Sequence, residues 1–189
     1  MVGRQRDPLL DDAIIQAALD VIVERGYSVF TVEAVAAAVG IPKSTIYKRW
    51  SGRSALAAGA LALWLKRMEP APAPVGEARR RLVALVRNEI DTAGRPAGRA
   101  VAQLMLNLQD DNGEMAGLIG AMSERRNLYI QILSDLQDKG DLRPDSNLEL
   151  ATDLLIGAVW AQVLSPRRRR VSPERIVDAV TRSMGAPHQ

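Results

Sequence analysis

The chain has 189 residues, of which 47% are hydrophobic, 25% are charged and only 4% are aromatic. This composition excludes a disordered chain, and the scarcity of aromatic residues favours helices built from Ala, Leu, Val and Ile. The formal net charge is +3 and cysteine is absent, which excludes disulfides, thiolate metal sites and thiol nucleophiles.

The N-terminal part of the sequence predicts two helices followed by a turn. Apolar residues at helical spacing predict a helix over residues 9–25, with Gly26 as its stop. Thr31 is suited to cap a second, short helix that ends at Gly40. Ile41-Pro42 then breaks the chain, because proline disfavours a helical conformation in the residue before it and readily begins a new helix.

A third helix is predicted over residues 43–49, with Ile46 buried and the other side chains facing outward. Trp50 follows directly after it. The stretch from Ala34 through Met68 carries six basic residues and no acidic one, so it should produce a local positive field suited to phosphate. A fourth helix, from after Gly52 to about Met68, is apolar nearly all round in its first two turns and should be covered on several sides.

Three prolines at alternate positions within residues 70–75 mark the clearest boundary, because they cannot continue a helix and are typical of a stiff connector. No strand-like alternation, repeat or low-complexity segment is present, so the predicted fold class is all-α. Further helices are predicted over residues 76–92, 98–108, 114–139, 148–164 and 173–184. The predicted domains are a three-helix N-terminal domain (1–53), a connecting helix (54–69), a linker (70–75) and a larger C-terminal helical domain (76–189).

The residues required by common catalytic and metal sites are missing from the sequence. The single histidine, His188, is the penultimate residue, and there is no Gly-rich phosphate loop and no Glu-x-x-His pair for a di-metal site. An enzyme is therefore disfavoured, and we expect no cofactor and no metal site. The longest apolar block, residues 55–65, is far shorter than the ~20 residues that span a bilayer, and no secretory signal is visible. We expect a soluble, cytoplasmic protein.

Residues 31–50 meet the spacing requirements of a helix-turn-helix. That motif needs a small residue where its two helices cross, a glycine with positive φ at the turn, and apolar residues that pin the second helix to the first. Ala36 lies four positions before Gly40, Ile41 follows the turn, and Ile46 comes six positions after the glycine. The spacing therefore predicts a helix presented by a turn.

The same run resembles the DNA-binding signature of the TetR (tetracycline-repressor-like) family of transcriptional regulators. Its most specific part is Lys43-Ser44-Thr45-Ile46-Tyr47, followed by an aromatic residue at Trp50. The resemblance is strong over residues 9–66. It is weaker over residues 140–145 and 149–155, which are similar to a segment common in the effector domains of that family. Trp50 replaces the usual phenylalanine, and Ser51-Gly52-Arg53 replaces a Lys-rich opening of the next helix.

The resemblance implies that the third helix enters the major groove of double-stranded DNA. Lys48 and Arg53 fit phosphate neutralisation, and Tyr47 offers a hydroxyl to a phosphate. For Arg49, reading a base and holding a phosphate both stay open, while Trp50 is interpreted as a packing residue. The candidate DNA contacts are Thr31, Lys43, Ser44, Thr45, Tyr47, Lys48, Arg49 and Arg53.

The resemblance also implies that the C-terminal domain pairs two copies of the chain and binds a small-molecule effector. Apolar stripes on the last long helices form the candidate dimer surface, or bury one another within one copy. The dimer candidates are Leu118, Met122, Leu133, Leu136, Leu150, Leu154 and Ala158. The pocket candidates each put an aromatic, flexible or polar group on an otherwise aliphatic helix: Trp64, Met105, Asn107, Tyr129, Asp153, Trp160 and Gln162. Because these helices offer so few polar groups in total, the predicted effector is hydrophobic or amphipathic.

The sequence thus predicts a homodimeric repressor that an effector releases from a palindromic operator. Three alternatives stay open: an activator, a regulator controlled by a protein partner, and a small-molecule carrier whose DNA-binding region has lost its role. The acid-free basic stretch argues against the carrier. The four arginines from Arg167 to Arg170 are interpreted as a solvated loop segment and not as a DNA site.

Overall fold

The computed structural model describes residues 7–67, 77–106, 113, 115–165 and 170–185. These residues form nine α-helices and one 3₁₀ turn (Tyr27–Val29), and no strand occurs among them, which confirms the predicted all-α fold. The helices are α1 (Pro8–Arg25), α2 (Val32–Val39), α3 (Lys43–Tyr47), α4 (Arg53–Arg67), α5 (Ala78–Ala93), α6 (Pro96–Leu106), α7 (Ala116–Asp138), α8 (Leu148–Leu164) and α9 (Pro173–Ser183).

Side-chain caps begin four of these helices. Asp7 caps α1, and the Thr31 hydroxyl caps α2 by accepting the backbone N–H of Ala34 at 3.1 Å. Asn147 and Ser172 cap α8 and α9 in the same way. These side chains satisfy N–H groups that have no partner inside the helix. Polar capping residues are recognisable in a sequence, so the predicted starts of these helices agree closely with the structure.

The chain divides into two compact units. Among the described residues, unit 1 contains α1 to α4, α6 and the first residues of α7, and unit 2 contains α5, the remainder of α7, α8 and α9. In unit 1, α6 packs against α1 and α4 through buried residues that include Ala97, Val101 and Leu104. The sequence analysis expected everything after residue 75 in one C-terminal domain. It did not foresee that α6 belongs with the N-terminal helices, because that packing is a long-range contact.

The core of unit 1 is built around α1 and α4. Ile14 and Ile22 of α1, Phe30 before α2, and Leu56 and Leu61 of α4 are fully buried. Most of α4 is buried, as its all-round apolar sequence predicts. In the described part of the chain, no helix is long and apolar enough to cross a membrane.

The core of unit 2 is an aliphatic cluster contributed by α5, α7, α8 and α9. Its largest fully buried side chain is Tyr129 of α7, the one buried aromatic residue within the cluster. The fully buried aliphatic members are Ala78, Leu82, Val86, Leu133, Leu142, Ala151, Leu155 and Val177.

Candidate nucleic-acid interface

The turn between α2 and α3 is held by a glycine in the left-handed conformation. Gly40 has φ 73° and ψ 34°, a conformation that favours a residue without Cβ. Its N–H donates to the carbonyl of Ala37 at 3.3 Å, and the N–H of Ile41 donates to the carbonyl of Ala36 at 3.0 Å. These two bonds form a Schellman motif, which ends α2 and redirects the chain into Pro42.

A single buried residue anchors α3. Ile46 is 1% exposed, and Val35 and Ala36 of the neighbouring α2 are buried as well. The helix is two residues shorter than predicted, because Lys48 and Arg49 lie in a turn after Tyr47. Backbone hydrogen bonds nevertheless continue through this turn, and the N–H of Lys48 donates to Ser44 at 3.2 Å. The outward face of α3 therefore extends into the turn.

Most predicted DNA contacts on α3 and its flanking turns are open to solvent. Lys43, Ser44 and Lys48 are exposed, and Tyr47 is 47% exposed. Thr31 at the start of α2 is also exposed, and while its oxygen accepts a backbone N–H, its own proton can be donated to a phosphate. Thr45 is half-buried. Contact of these residues with DNA stays a prediction.

Arg49 is directed into the protein. Its Nε donates to the carboxylate of Asp11 on α1, and its Nη1 donates to the carbonyl of Thr45 at 3.1 Å. The arginine side chain is only 14% exposed. The ion pair therefore ties the turn after α3 to the first helix of the chain.

Arg53 is held by the 3₁₀ turn that precedes α2. Its guanidinium lies 4.3 Å from the ring centroid of Tyr27, and Nη2 donates to the carbonyl of the same residue. This cation–π contact fixes the start of α4 against a buried aromatic ring. Phosphate neutralisation by Arg53 stays a prediction.

Lys43 forms an exposed ion pair with Glu33 of α2, with 3.3 Å between Nζ and Oε1. A hydrogen bond from the backbone of Glu33 itself, and then the bond from Lys43, hold the pKa of the Glu33 carboxyl below its usual value. Exposed pairs contribute little to stability. Lys43 can therefore exchange Glu33 for a phosphate at small cost.

The basic stretch contains no acidic residue in the sequence, but in the folded protein carboxylates from outside the stretch lie next to two of its basic side chains. Asp11 and Glu33 lie outside that stretch and neutralise Arg49 and Lys43. The positive field around α3 is therefore weaker than the sequence predicted, because the count along the chain omitted these carboxylates. Lys48 forms no ion pair with any residue that the structure describes, so it carries the least compensated charge on this face.

Trp50 is half-buried beside α4. A Cβ placed on Gly59 would lie 3.6 Å from the Trp50 Nε1 and 2.8 Å from Cδ1 of Ile15. The indole therefore packs where α1 and α4 approach closely, which agrees with its interpretation as a packing residue.

The predicted pocket residues belong to both units of the chain. In unit 1, Trp64 is buried on α4 and Met105 is half-buried on α6. In unit 2, Tyr129 is fully buried and Trp160 packs against the same core. Asn107 lies outside the described residues.

The two remaining pocket candidates are on α8. Asp153 is exposed and forms an ion pair with Arg126, which also binds Glu149 at 2.6 Å. Gln162 accepts the N–H of Val171 at 2.9 Å and lines a groove between α8 and α9 with a volume of about 230 Å³.

The predicted dimer residues divide into buried and exposed sets. Leu118, Leu133 and Leu136 are buried in the core of their own chain, so their stripe packs internally. Met122 and Ala158 are half-buried. Leu150 and Leu154 are exposed on the outer side of α8.

Three residues of this region were missed by the sequence analysis: Asp11, Tyr27 and Glu33. Each lies before Ala34, outside the stretch in which the basic residues were counted. Their partners follow between 10 and 38 residues later. No local pattern connects the members of such pairs, although an acidic residue just before the stretch was a warning that its charge is partly balanced.

A short helix that is held by one buried isoleucine and follows a glycine turn is the arrangement of a DNA-binding helix-turn-helix. The fold and this site therefore place the chain in the class of helix-turn-helix regulators. Residues 14–60 match the sequence model of bacterial regulatory proteins of the tetR family, and residues 72–182 match that of the tetracyclin repressor-like C-terminal domain. The chain belongs to the TetR family of transcriptional regulators.

The similarity to individual relatives covers most of the chain. It is 26% identical over 163 residues to the HTH-type transcriptional regulator YdeS of Bacillus subtilis, which covers 86% of this chain and 82% of that protein. The crystal structure of the TetR family regulator SCO0332 has a TM-score of 0.70 and 24% identity, covering 93% of this chain and 98% of the other. FadR of Bacillus subtilis, solved in complex with stearoyl-CoA, has a TM-score of 0.63 and 19% identity, covering 90% and 95%.

Proposed function

We propose that this regulator is a homodimeric repressor that a small hydrophobic or amphipathic effector releases from a palindromic operator. The observation that carries the DNA-binding part is the outward face of α3, where Lys43, Ser44, Tyr47 and Lys48 are exposed above the buried Ile46. A helix of this kind inserts into the major groove, where base edges are readable.

The outward residues act at two levels. Lys48, Lys43 and the hydroxyls of Thr31 and Tyr47 bind phosphates and set the register of the protein on the duplex. Ser44 and Thr45 lie on the short helix itself, where hydroxyl groups can meet base edges. Lys48 contributes most to the salt dependence, because no carboxylate among the described residues competes for it.

Arg49 and Arg53 act as positioning residues in this proposal. Each guanidinium is engaged by the protein, Arg49 by Asp11 and Arg53 by Tyr27. They hold the two ends of the connection between α3 and α4 against fixed partners. Their shared contribution to DNA binding is therefore the orientation of α3, and the exposed Arg53 also stays a candidate for phosphate neutralisation.

The proposed dimer surface is the outer side of α8. Leu150, Leu154 and Leu164 are exposed at helical spacing, with the small residues Gly157 and Ala161 between them. The groove between α8 and α9 continues this apolar surface. A stripe of this kind fits a second copy of itself across a two-fold axis.

The proposed effector binds in the C-terminal part of the chain. The core of unit 2 is almost entirely aliphatic, which suits a ligand with a large apolar portion. The related FadR fold, which was solved with stearoyl-CoA, supports an effector of amphipathic character.

Selection of bound sequences from random duplex DNA tests the proposal. The purified protein is incubated with the duplex pool at low salt, then at rising salt and with candidate ligands. Enrichment of a palindrome that is lost on adding a ligand supports an effector-released repressor. If no sequence is enriched even at low salt, a small-molecule carrier becomes the better account.

A further inference from the structure

Two helices of unit 2 place polar side chains within or beside its aliphatic core. α5 contributes Asn88 and Glu89, and α7 contributes Arg125 and Tyr129. We refer to these four residues as the buried polar cluster. A polar group that is removed from water must find a partner or destabilise the fold, so each member of the cluster requires an explanation.

Glu89 and Arg125 compensate each other's buried charge by forming an ion pair. The Nε of Arg125 donates to Oε1 of Glu89 at 2.7 Å, and the side chains of Arg125 and Glu89 are 11% and 20% exposed, respectively. Burial raises the pKa of Glu89, and the guanidinium opposes that shift. The pair ties α5 to α7 and adds no net charge to the cluster.

The polar atoms of Tyr129 and Asn88 find no such compensation among the described residues. The Tyr129 side chain is 1% exposed, and its hydroxyl has no hydrogen-bond partner among the described residues. The buried Nδ2 of Asn88 likewise lacks a partner in the described part of the chain. Burial, followed by the charge of Glu89, raises the pKa of Tyr129 well above its ordinary range, so the hydroxyl stays protonated and available as a donor.

We infer that the buried polar cluster binds the acceptor oxygen of an uncharged, largely apolar ligand, such as a ketone, ester or amide. This inference rests on the proposed control by an effector and names its chemical class. The Tyr129 hydroxyl and the Asn88 amide supply the donors, and the surrounding aliphatic core receives the apolar portion. An acceptor oxygen of the ligand relieves the cost of leaving a buried donor unpaired.

The neutral charge of the cluster selects against ionic ligands. A carboxylate ligand would compete with Glu89 for Arg125 and add a second negative charge to a site that the protein has already balanced. An ammonium ligand would meet two unused donors and no unused carboxylate partner. An uncharged acceptor is therefore the chemistry that fits.

Three probes of equal chain length test the inference: 2-dodecanone, dodecane and dodecanoate. Binding to the full chain is followed by tryptophan fluorescence, to which Trp160 beside this core contributes, and by thermal denaturation. We expect the wild-type protein to bind 2-dodecanone saturably, with at least tenfold weaker binding of dodecanoate and of dodecane.

Tyr129→Phe separates a ligand-binding role from a structural one. Loss of one hydrogen bond should weaken ketone binding roughly fivefold to tenfold. The melting temperature without ligand should stay equal or rise, because the variant removes an unpaired buried hydroxyl. A hydroxyl with a structural role would instead lower the melting temperature.

Asn88→Ala should also weaken ketone binding. The inference is overturned if wild-type protein shows no saturable ketone binding, if dodecanoate binds more tightly, if Tyr129→Phe leaves ketone affinity unchanged or if it lowers the melting temperature. Duplex selection without ligand distinguishes this failure from failure of the proposed function. An enriched palindrome together with absent ketone binding removes only the ligand class.

Discussion

Lys48 and Arg49 are neighbours in sequence with opposite surroundings. Lys48 extends into solvent, whereas Arg49 is largely buried against Asp11 and the carbonyl of Thr45. A solvated ammonium exchanges its counterion for a DNA phosphate readily. A guanidinium in a partly buried pair must first give up its carboxylate, which leaves that charge uncompensated. The two cations should therefore affect DNA binding in different ways.

Substitution of Lys48 by alanine should weaken binding to all duplexes alike and reduce the salt dependence. The expected loss is about 0.9 in the slope of log K against log salt per subunit, hence about 1.8 for the proposed dimer. Arg49→Ala should leave that slope unchanged while lowering operator affinity. Fluorescence-anisotropy titrations at several salt concentrations measure both slopes.

Thermal or urea denaturation provides the control for this pair of variants. Arg49→Ala should lower the free energy of unfolding by about 1–3 kcal/mol, since it removes a charged hydrogen bond and strands Asp11. Lys48→Ala should leave stability within about 0.5 kcal/mol of the wild type. An unchanged slope for Lys48→Ala, or a reduced slope for Arg49→Ala, would contradict the assigned roles.

At the residue scale, the sequence predicts exposure better than it predicts partners. Ile46 was correctly identified as the buried residue of α3, because a short helix with one aliphatic side chain has one way to pack. The partner of Arg49 lies 38 residues away, and nothing local identifies it. Glu89 and Arg125 were not singled out from the sequence, although each occupies an inward position in an otherwise apolar stripe of its helix.

The turn of the helix-turn-helix depends on the backbone freedom of Gly40. With φ 73° and ψ 34°, an alanine at this position would be strained by about 1–2 kcal/mol. Gly40→Ala should therefore destabilise unit 1 and weaken operator binding, because relief of the strain reorients α3. Chemical denaturation and anisotropy titration measure the two effects.

Gly120 on α7 is a matched control for that substitution. It is exposed within a helix, and a Cβ placed there would meet nothing within 4 Å. Gly120→Ala should stabilise the protein by roughly 0.5–1 kcal/mol, because alanine favours a helical backbone. Equal effects of the two substitutions would argue against a special requirement at Gly40.

At the element scale, helices were predictable wherever polar caps, glycines and prolines mark their ends. α8 has the predicted bounds, and α9 ends one residue early. The 3₁₀ turn at Tyr27–Val29 was missed, because three residues carry no periodicity. The packing of α6 with α1 and α4 was also missed, since an apolar stripe does not specify which helices cover it.

At the scale of the whole molecule, the outer side of α8 forms the proposed dimer interface. Its inner side, including Ala151, Leu155 and Val159, is buried in unit 2, yet its outer side exposes Leu150 and Leu154. Leu154→Glu should abolish the dimer, because the introduced charge would be buried at the interface. Sedimentation velocity should then show a monomer, with operator affinity reduced at least a hundredfold.

Leu106→Glu on α6 is the control for surface charge. Leu106 is more exposed than Leu154, at 80% against 45%, and it is not part of the proposed interface. This variant should remain dimeric and bind the operator as the wild type does. A dimeric Leu154→Glu variant would place the interface elsewhere.

Hydroxyl-radical footprinting of the selected duplex tests most directly whether two copies of the exposed α3 face bind successive turns of DNA. We predict two protected patches related by two-fold symmetry, with centres about 10–10.5 base pairs apart or a multiple of that distance. Both patches should weaken together in Lys48→Ala. A single patch, or protection without symmetry, would contradict the account.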